Sequence, residues 1–133
     1  MILTELFFGS LHEVIDRKTG NPYPTGDWRE NYLDKDGTIS IYESERRFPG
    51  QKRIYFIPDE STAYYLTTSF GELQPSEDEY VLRTNNSIYK FRIDQERTAA
   101  AVREVMRARG VLESIGQDEE NREQDGNKEG DKP

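Results

Sequence analysis

The strongest local constraint on the fold lies between residues 80 and 93, where two alternating segments flank a pair of asparagines. Asparagine tolerates the left-handed backbone conformation, so Asn85-Asn86 predicts a two-residue hairpin turn. That turn sets the register of both strands, with Leu82 opposite Tyr89 and Tyr80 opposite Phe91. We predict an antiparallel hairpin with one buried face. The side chains on that face would be Tyr80, Leu82, Tyr89, Phe91 and Ile93.

Other segments add strands to this hairpin. Residues 38–42 alternate cleanly and place Ile39 and Ile41 on one face, as a half-buried strand does. Residues 53–57 and 63–66 are apolar at most positions, which is typical of more central strands. Residues 2–15 fit a helical spacing in part and short strands in part, so their type stays open.

The segment after the hairpin has the pattern of a helix. Asp94 is a good N-cap residue, and apolar residues then recur at steps of three and four. We expect a helix over about residues 95–112. Residues 113–133 hold eight acidic and three basic residues, a net charge of −5, with Ile115 as their one large apolar side chain. Such a segment buries too little surface to offset its ordering entropy, so we expect a disordered acidic tail.

These patterns together predict an α+β protein that is mainly β. We expect a single β-rich domain over residues 1–112, built as a small antiparallel sheet or partly open barrel with one C-terminal helix. The tail, residues 113–133, would follow it. A length of 133 residues fits one domain of this kind.

Composition removes several classes of function. The chain has no cysteine and one histidine, which excludes disulfide scaffolds, thiolate metal sites and His-rich metal centres. No phosphate-binding glycine loop and no dinucleotide-binding fingerprint is present. We therefore expect no enzymatic activity and no cofactor. Because no signal sequence and no apolar run long enough for a membrane span appears, we expect a cytoplasmic protein that does not engage membranes.

The segment from residue 34 to residue 43 resembles an EF-hand calcium loop. With Gly37 at the sixth loop position, Asp34, Asp36 and Glu43 fall at positions three, five and twelve. The first loop position is Tyr32 where an aspartate is usual, and prolines rather than helices flank the segment. A turn followed by a strand is the favoured interpretation, and Asp34, Asp36 and Glu43 form a secondary calcium candidate.

Basic side chains cluster around an aromatic residue in the middle of the chain. Residues 46–112 carry 11 basic and nine acidic residues, whereas residues 1–45 carry four basic and nine acidic ones. Arginine beside exposed aromatic rings suits contact with another protein, and also single-stranded nucleic acid, whose bases stack on rings. The candidate binding residues are Arg46, Arg47, Phe48, Lys52 and Arg53 at a turn, with Arg83, Lys90 and Arg92 on the exposed hairpin face.

The net charge of −8 supports a third hypothesis. An acidic surface can imitate nucleic acid and occupy a basic groove on another protein, because negative charge steers encounters with basic partners. Most of the excess negative charge lies in residues 113–133, where it also favours solubility.

One resemblance concerns origin. Residues 66–91 contain Leu66-Thr67-Thr68-Ser69 and then the core Thr84-Asn85-Asn86-Ser87-Ile88-Tyr89-Lys90-Phe91. This strand–turn–strand is similar to one in small uncharacterised β proteins of bacteriophages and mobile elements. The resemblance implies a short accessory protein that acts by binding a host or viral partner.

The sequence thus predicts a non-enzymatic binding or regulatory module that acts through protein–protein contact. Its partner would be another protein. Single-stranded nucleic-acid binding and acidic mimicry are the alternatives.

Overall fold

A computed structural model describes residues 1–60 and 63–124, with side chains placed up to residue 110. The strands are β1 (Ile2–Asp16), β2 (Asn21–Pro22), β3 (Asp36–Glu43), β4 (Lys52–Pro58), β5 (Leu66–Thr67), β6 (Glu72–Pro75), β7 (Glu79–Arg83) and β8 (Ser87–Ile93). A 3₁₀ turn, Trp28–Tyr32, precedes β3, and one helix, α1 (Gln95–Gln124), ends the described chain. The protein is therefore mainly β with a C-terminal helix, as predicted.

All eight strands of the described residues belong to one antiparallel sheet. Their order is β5-β4-β3-β1-β8-β7-β6, with β2 paired to β1 beside this path. Strand β1 lies at the centre, because it pairs with β3 through residues 2–10 and with β8 through residues 9–16. Residues 2–15, whose type the sequence left open, therefore belong to one long strand. Its first half pairs with β3 and its second half pairs with β8.

The hairpin of β7 and β8 has the predicted register. Leu82 pairs with Tyr89 and Tyr80 with Phe91, and the Thr84 amide donates to the Ser87 carbonyl across the turn at 2.9 Å. The five side chains predicted for the buried face are all buried. The turn chemistry and the alternation were sufficient here because every contact they specify is local in sequence.

The core lies on the concave side of the curled sheet. Phe56 of β4 and Phe91 of β8 are both fully buried, and their ring centroids lie 5.9 Å apart. Two strands, β3 and β1, separate β4 from β8 in the sheet order, so this contact requires the sheet to bend around its core. The other buried apolar side chains include Leu11, Ile39, Ile41, Ile54, Leu66 and Leu82.

The bend brings the two ends of the sheet together at one point. Lys52, at the start of β4, and Gly71, just before β6, exchange two backbone hydrogen bonds of 2.9 and 2.8 Å. A Cβ atom on Gly71 would lie 2.1 Å from the carbonyl oxygen of Arg83. Because β7 passes directly against the backbone of Gly71, there is room only for glycine at this position.

The loop before β3 is organised around Arg29. Its guanidinium lies 4.0 Å from the ring centre of Tyr23 and 4.6 Å from that of Trp28, and it forms an ion pair with Asp27 at 3.0 Å. The Asp27 side chain also accepts from the Arg29 amide, which caps the 3₁₀ turn. Trp28 itself remains 49% exposed.

Helix α1 begins as predicted and ends later. The Arg97 amide donates to the Asp94 carboxylate at 3.0 Å, which is the expected N-cap bond. The helix is assigned to Gln124, beyond the predicted end at 112. The part of α1 after residue 112 is rich in Glu and Gln, which have high helix propensity, so it can form a helix although it has few apolar side chains to bury. Residues 125–133 of the predicted tail lie outside the described residues, and the disorder of the tail stays a prediction.

The chain divides into two structural units, residues 1–98 and 99–133. The first contains the whole sheet and the first turn of α1, and the second contains the remainder of the helix. The helix in the described residues lacks an apolar stretch that could cross a bilayer.

Replacing Gly71 with alanine tests the meeting of the sheet ends. Because the new Cβ would collide with the Arg83 carbonyl, we expect a loss of about 1–3 kcal/mol in the free energy of unfolding, measured by urea denaturation. Gly110→Ala is the matched control. Nothing lies within 4 Å of a Cβ there, and alanine favours helix, so stability should not fall. Equal losses in both variants would contradict the close contact at Gly71.

Candidate interaction surface

The turn between β3 and β4 displays three of the predicted binding residues. The Phe48 amide donates to the Ser44 hydroxyl at 3.0 Å, and the Gln51 amide donates to the Phe48 carbonyl at 3.0 Å. Gly50 adopts φ of 80°, which glycine permits without strain. These bonds hold an ordered turn in which Arg46, Arg47 and Phe48 are exposed.

Phe48 is the first ring in a group of stacked side chains. Its centroid lies 5.2 Å from that of Phe70, which precedes β6. The guanidinium of Arg47 lies 5.7 Å from the Phe48 ring centre, and that of Arg53 lies 4.4 Å from the Phe70 ring centre. Both arginines are therefore positioned by cation–π contact with aromatic faces.

A row of tyrosines continues from Arg53 across the convex face of the sheet. Tyr42 is the direct cross-strand neighbour of Arg53, and its ring centroid lies 5.1 Å from that of Tyr55. Tyr55 in turn stacks on Tyr65 at 6.0 Å with an interplanar angle of 18°. We call this set the aromatic–arginine surface. It comprises Tyr42, Arg47, Phe48, Arg53, Tyr55, Tyr65 and Phe70.

The surface is accessible, and its cations are available. Tyr65 is 55% exposed and Phe48 39%. Within the described residues, no carboxylate lies within ion-pair distance of Arg47 or Arg53, and the buried Nε of Arg53 has no hydrogen-bond partner. One terminal nitrogen of Arg53 instead lies 4.0 Å from the sulfur of Met1. The rings thus fix both guanidinium groups while leaving most of their donors for a partner.

Lys52 does not belong to this surface. It alternates with Arg53 along β4 and therefore faces the opposite side of the sheet. Its amino group contacts the Glu43 carboxylate at 2.6 Å. Glu43, directly opposite Lys52 on β3, neutralises its charge, so Lys52 adds no free cation to the turn.

The hairpin candidates separate into two places. The backbone of Arg83 abuts Gly71, and Arg83 and Gly50 line one shallow pocket, so Arg83 lies near the turn. Lys90 and Arg92 lie on β8, which two other strands separate from β4. Lys90 contacts the Glu13 carboxylate at 3.2 Å, and Arg92 contacts His12 Nε2 at 3.2 Å. The structure does not join Lys90 and Arg92 to the aromatic–arginine surface.

Sequence reasoning missed the tyrosines and Phe70. Alternation along β3 and β4 was a usable signal for both tyrosines: Tyr55 lies between the core residues Ile54 and Phe56, and Tyr42 follows the core residue Ile41, so both must face the other side. Tyr65 and Phe70 lie outside regular alternating segments, and their ring contacts depend on where the chain runs after β4. No local pattern specified those positions.

The calcium candidates do not converge. Asp36 begins β3 and Glu43 ends it, so extended chain places them roughly 20 Å apart, too far to bind one ion. Gly37 is in the strand, where a Cβ would lie 2.3 Å from the carbonyl oxygen of Ile57. The close approach of β4 to β3 therefore explains the glycine at position 37. Among the residues that the structure describes, no group of acidic or histidine side chains is arranged to hold a metal ion.

Comparison with known proteins gives no relative: no family model, curated protein or solved structure matches this chain.

Calcium should leave the stability of the protein unchanged. A ligand that binds only the folded state raises the melting temperature. Since Asp36 and Glu43 lie at opposite ends of β3 and Asp34 precedes the strand, we expect the same melting temperature with millimolar calcium as with a chelator, measured by circular dichroism. A magnesium sample controls for ionic strength, and a rise specific to calcium would contradict the arrangement described.

Proposed function

We propose that the protein is a non-enzymatic protein-binding module and that the aromatic–arginine surface is its contact site. The observation that carries the proposal is the stack of the exposed Tyr65 on the half-buried Tyr55, beside arginines that have no carboxylate partner in the described residues. The predicted cytoplasmic location and the accessory role implied by the bacteriophage resemblance are parts of this proposal.

The composition of the surface supports contact with a protein. Tyrosine, phenylalanine and arginine are enriched where interfaces are buried, and tyrosine and arginine are common among the residues that dominate binding energy. Tyr65 and Phe48 supply rigid apolar area at low entropic cost, because aromatic side chains have few rotatable bonds. Arg47 and Arg53 would donate hydrogen bonds to carboxylates of the partner. A partner with an acidic rim around an apolar centre matches this surface.

Preorganisation supports the same proposal. Ordering a free arginine side chain costs binding energy, and here ring contacts have already restricted Arg47 and Arg53. The hydrogen-bonded turn likewise holds Phe48 in place before any partner arrives. The surface can therefore bind without first rearranging its backbone.

Single-stranded nucleic acid is the second candidate. The near-parallel Tyr55–Tyr65 pair offers an exposed π face, and Arg47, Arg53 and the nearby Arg46 could meet phosphates. The overall charge of −8 opposes this candidate, since non-specific affinity for nucleic acid comes mainly from positive charge. Protein contact is therefore the favoured function.

Variants of the surface should lose a defined partner. We expect Tyr65→Ala, and separately Arg46→Glu with Arg47→Glu, to weaken binding at least about tenfold, because each removes an anchor of the type that dominates interfaces. The full chain would serve as bait in nuclease-treated lysate of the source cells. Proteins retained by the wild type and lost from both variants would then be titrated by calorimetry.

The matched control is Arg103→Glu with Arg109→Glu, which makes the same change in net charge on exposed helix positions. This control should retain the partner. Identical retention by the wild type and both surface variants would overturn the proposal.

Nucleic-acid binding has its own readout. A fluorescent single-stranded oligonucleotide titrated with the protein should show affinity that falls steeply between low and moderate salt if phosphates are bound. The double arginine variant should then bind more weakly than the helix control. We expect a negligible change in anisotropy for the wild type. Salt-sensitive binding that the surface variants abolish would instead make nucleic acid the favoured ligand of this surface.

A further inference from the structure

The N-terminal half of β1 is an open edge of the sheet. β3 pairs with it on one side from Ile2 onward, whereas β8 pairs with β1 only from Gly9. At Phe8 the outward amide donates to the Thr98 hydroxyl at 3.1 Å, and the outward carbonyl accepts from the Asp94 amide at 2.7 Å. Between Ile2 and Phe7, no strand of the described residues pairs with the side away from β3.

Backbone groups along this edge point outward. In an antiparallel pair, successive residues direct their amide and carbonyl groups to opposite sides of the strand. Those of Phe8 point away from β3, so those of Leu6 do too. Leu6 therefore offers a donor and an acceptor in the position where the next strand of the sheet would lie.

Apolar side chains flank these groups. Ile2 is 54% exposed, Leu3 48% and Leu6 47%. Glu5 is the one charged side chain between Ile2 and Phe8, and its carboxylate lies 3.5 Å from the Tyr80 hydroxyl. A strand of this kind, with neither lysine nor proline in its open segment, lacks the features by which proteins usually prevent edge pairing.

The other sheet edges carry such protection. The β6 edge contains Glu72 and Gln74 and ends in Pro75, all exposed. The β5 edge has only two residues, Leu66 and Thr67. Short, polar and proline-terminated edges resist strand addition. Exposed apolar sequence and unpaired backbone therefore coincide at β1 and at neither of the two ends of the strand order, β5 and β6.

We propose that a second copy of this chain pairs with residues 2–7 of β1 in antiparallel fashion, giving a two-fold dimer with one sheet continuous across both copies. The strand is self-complementary, since each copy supplies the same apolar side chains and the same outward backbone groups. Both open edges are consumed by this one contact, so the assembly closes at two. Leu3 is the cross-strand neighbour of Tyr42, so the contact adjoins the aromatic–arginine surface, but it uses the backbone edge of β1 and does not depend on the proposed function.

The area of such a contact sets its strength. One short strand pair with Ile2, Leu3 and Leu6 from each copy lies near the lower end of specific interfaces. We therefore expect reversible dimerisation with a dissociation constant on the order of micromolar. A second copy is favoured over a strand of another protein because its own β1 edge already carries the matching apolar side chains Ile2, Leu3 and Leu6.

Sedimentation velocity of the full chain over a wide concentration range tests the proposal. The wild type should shift from the monomer mass of 15.5 kDa towards twice that mass as concentration rises. Leu6→Lys places a charge in the contact and should remain monomeric. Ile57→Lys is the matched control, because Ile57 is 39% exposed on the same face but lies on the interior strand β4, and it should dimerise like the wild type.

Hydrogen exchange gives a second readout. The Leu6 amide should exchange more slowly at high than at low protein concentration, and this dependence should vanish in Leu3→Lys, which serves if Leu6→Lys fails to fold. A wild type that stays monomeric with a freely exchanging Leu6 amide would overturn the proposal. A dimer that Ile57→Lys abolishes and Leu6→Lys preserves would overturn it in favour of face-to-face packing.

Discussion

The contact between Phe56 and Phe91 is the interaction on which the arrangement of the sheet depends. These rings belong to strands separated by two others, so they meet only if the sheet bends. The bend carries Gly71 to Lys52 and sets Arg83 beside the turn that holds Phe48. It also divides each strand into a side that faces the core and a side that faces out. The ring stack of Tyr42, Tyr55 and Tyr65 lies on the second side because Ile54 and Phe56 occupy the first.

The sequence was informative where contacts are local and silent where they depend on distant parts of the chain. The β7–β8 hairpin and the Asp94 cap were predictable because each is decided within a few residues. Strand β1 was not, since its apolar spacing suits either element and its two pairing partners are far along the chain. Helix α1 continues to Gln124 because residues that cannot form a core can still form helix.

The distinction between local and long-range contacts also applies to the residues of the candidate surface. Arg47 and Phe48 were identified because they adjoin in sequence, whereas Phe70 and Tyr65 reach them or Tyr55 only in the folded chain. Formal charge alone was misleading at Lys52 and Lys90, which have carboxylate partners at 2.6 and 3.2 Å. What distinguishes Arg47 and Arg53 is that aromatic rings, and no carboxylate of the described residues, hold them in position. A guanidinium held by a ring keeps its charge for a partner, whereas one held by a carboxylate does not.

The loop built on Arg29 determines what optical spectroscopy can observe in this protein. Trp28 is the single tryptophan of the chain, and it lies half exposed against a guanidinium outside the core. Its emission therefore responds first to the loop of residues 21–35, and it reaches the core only through its contact with Tyr32, whose ring centroid lies 6.2 Å away. The core contains tyrosines, among them Tyr80 and Tyr89. Unfolding traces followed at tryptophan and at tyrosine wavelengths consequently sample different regions, and a lag between the two would measure whether the loop detaches before the sheet opens.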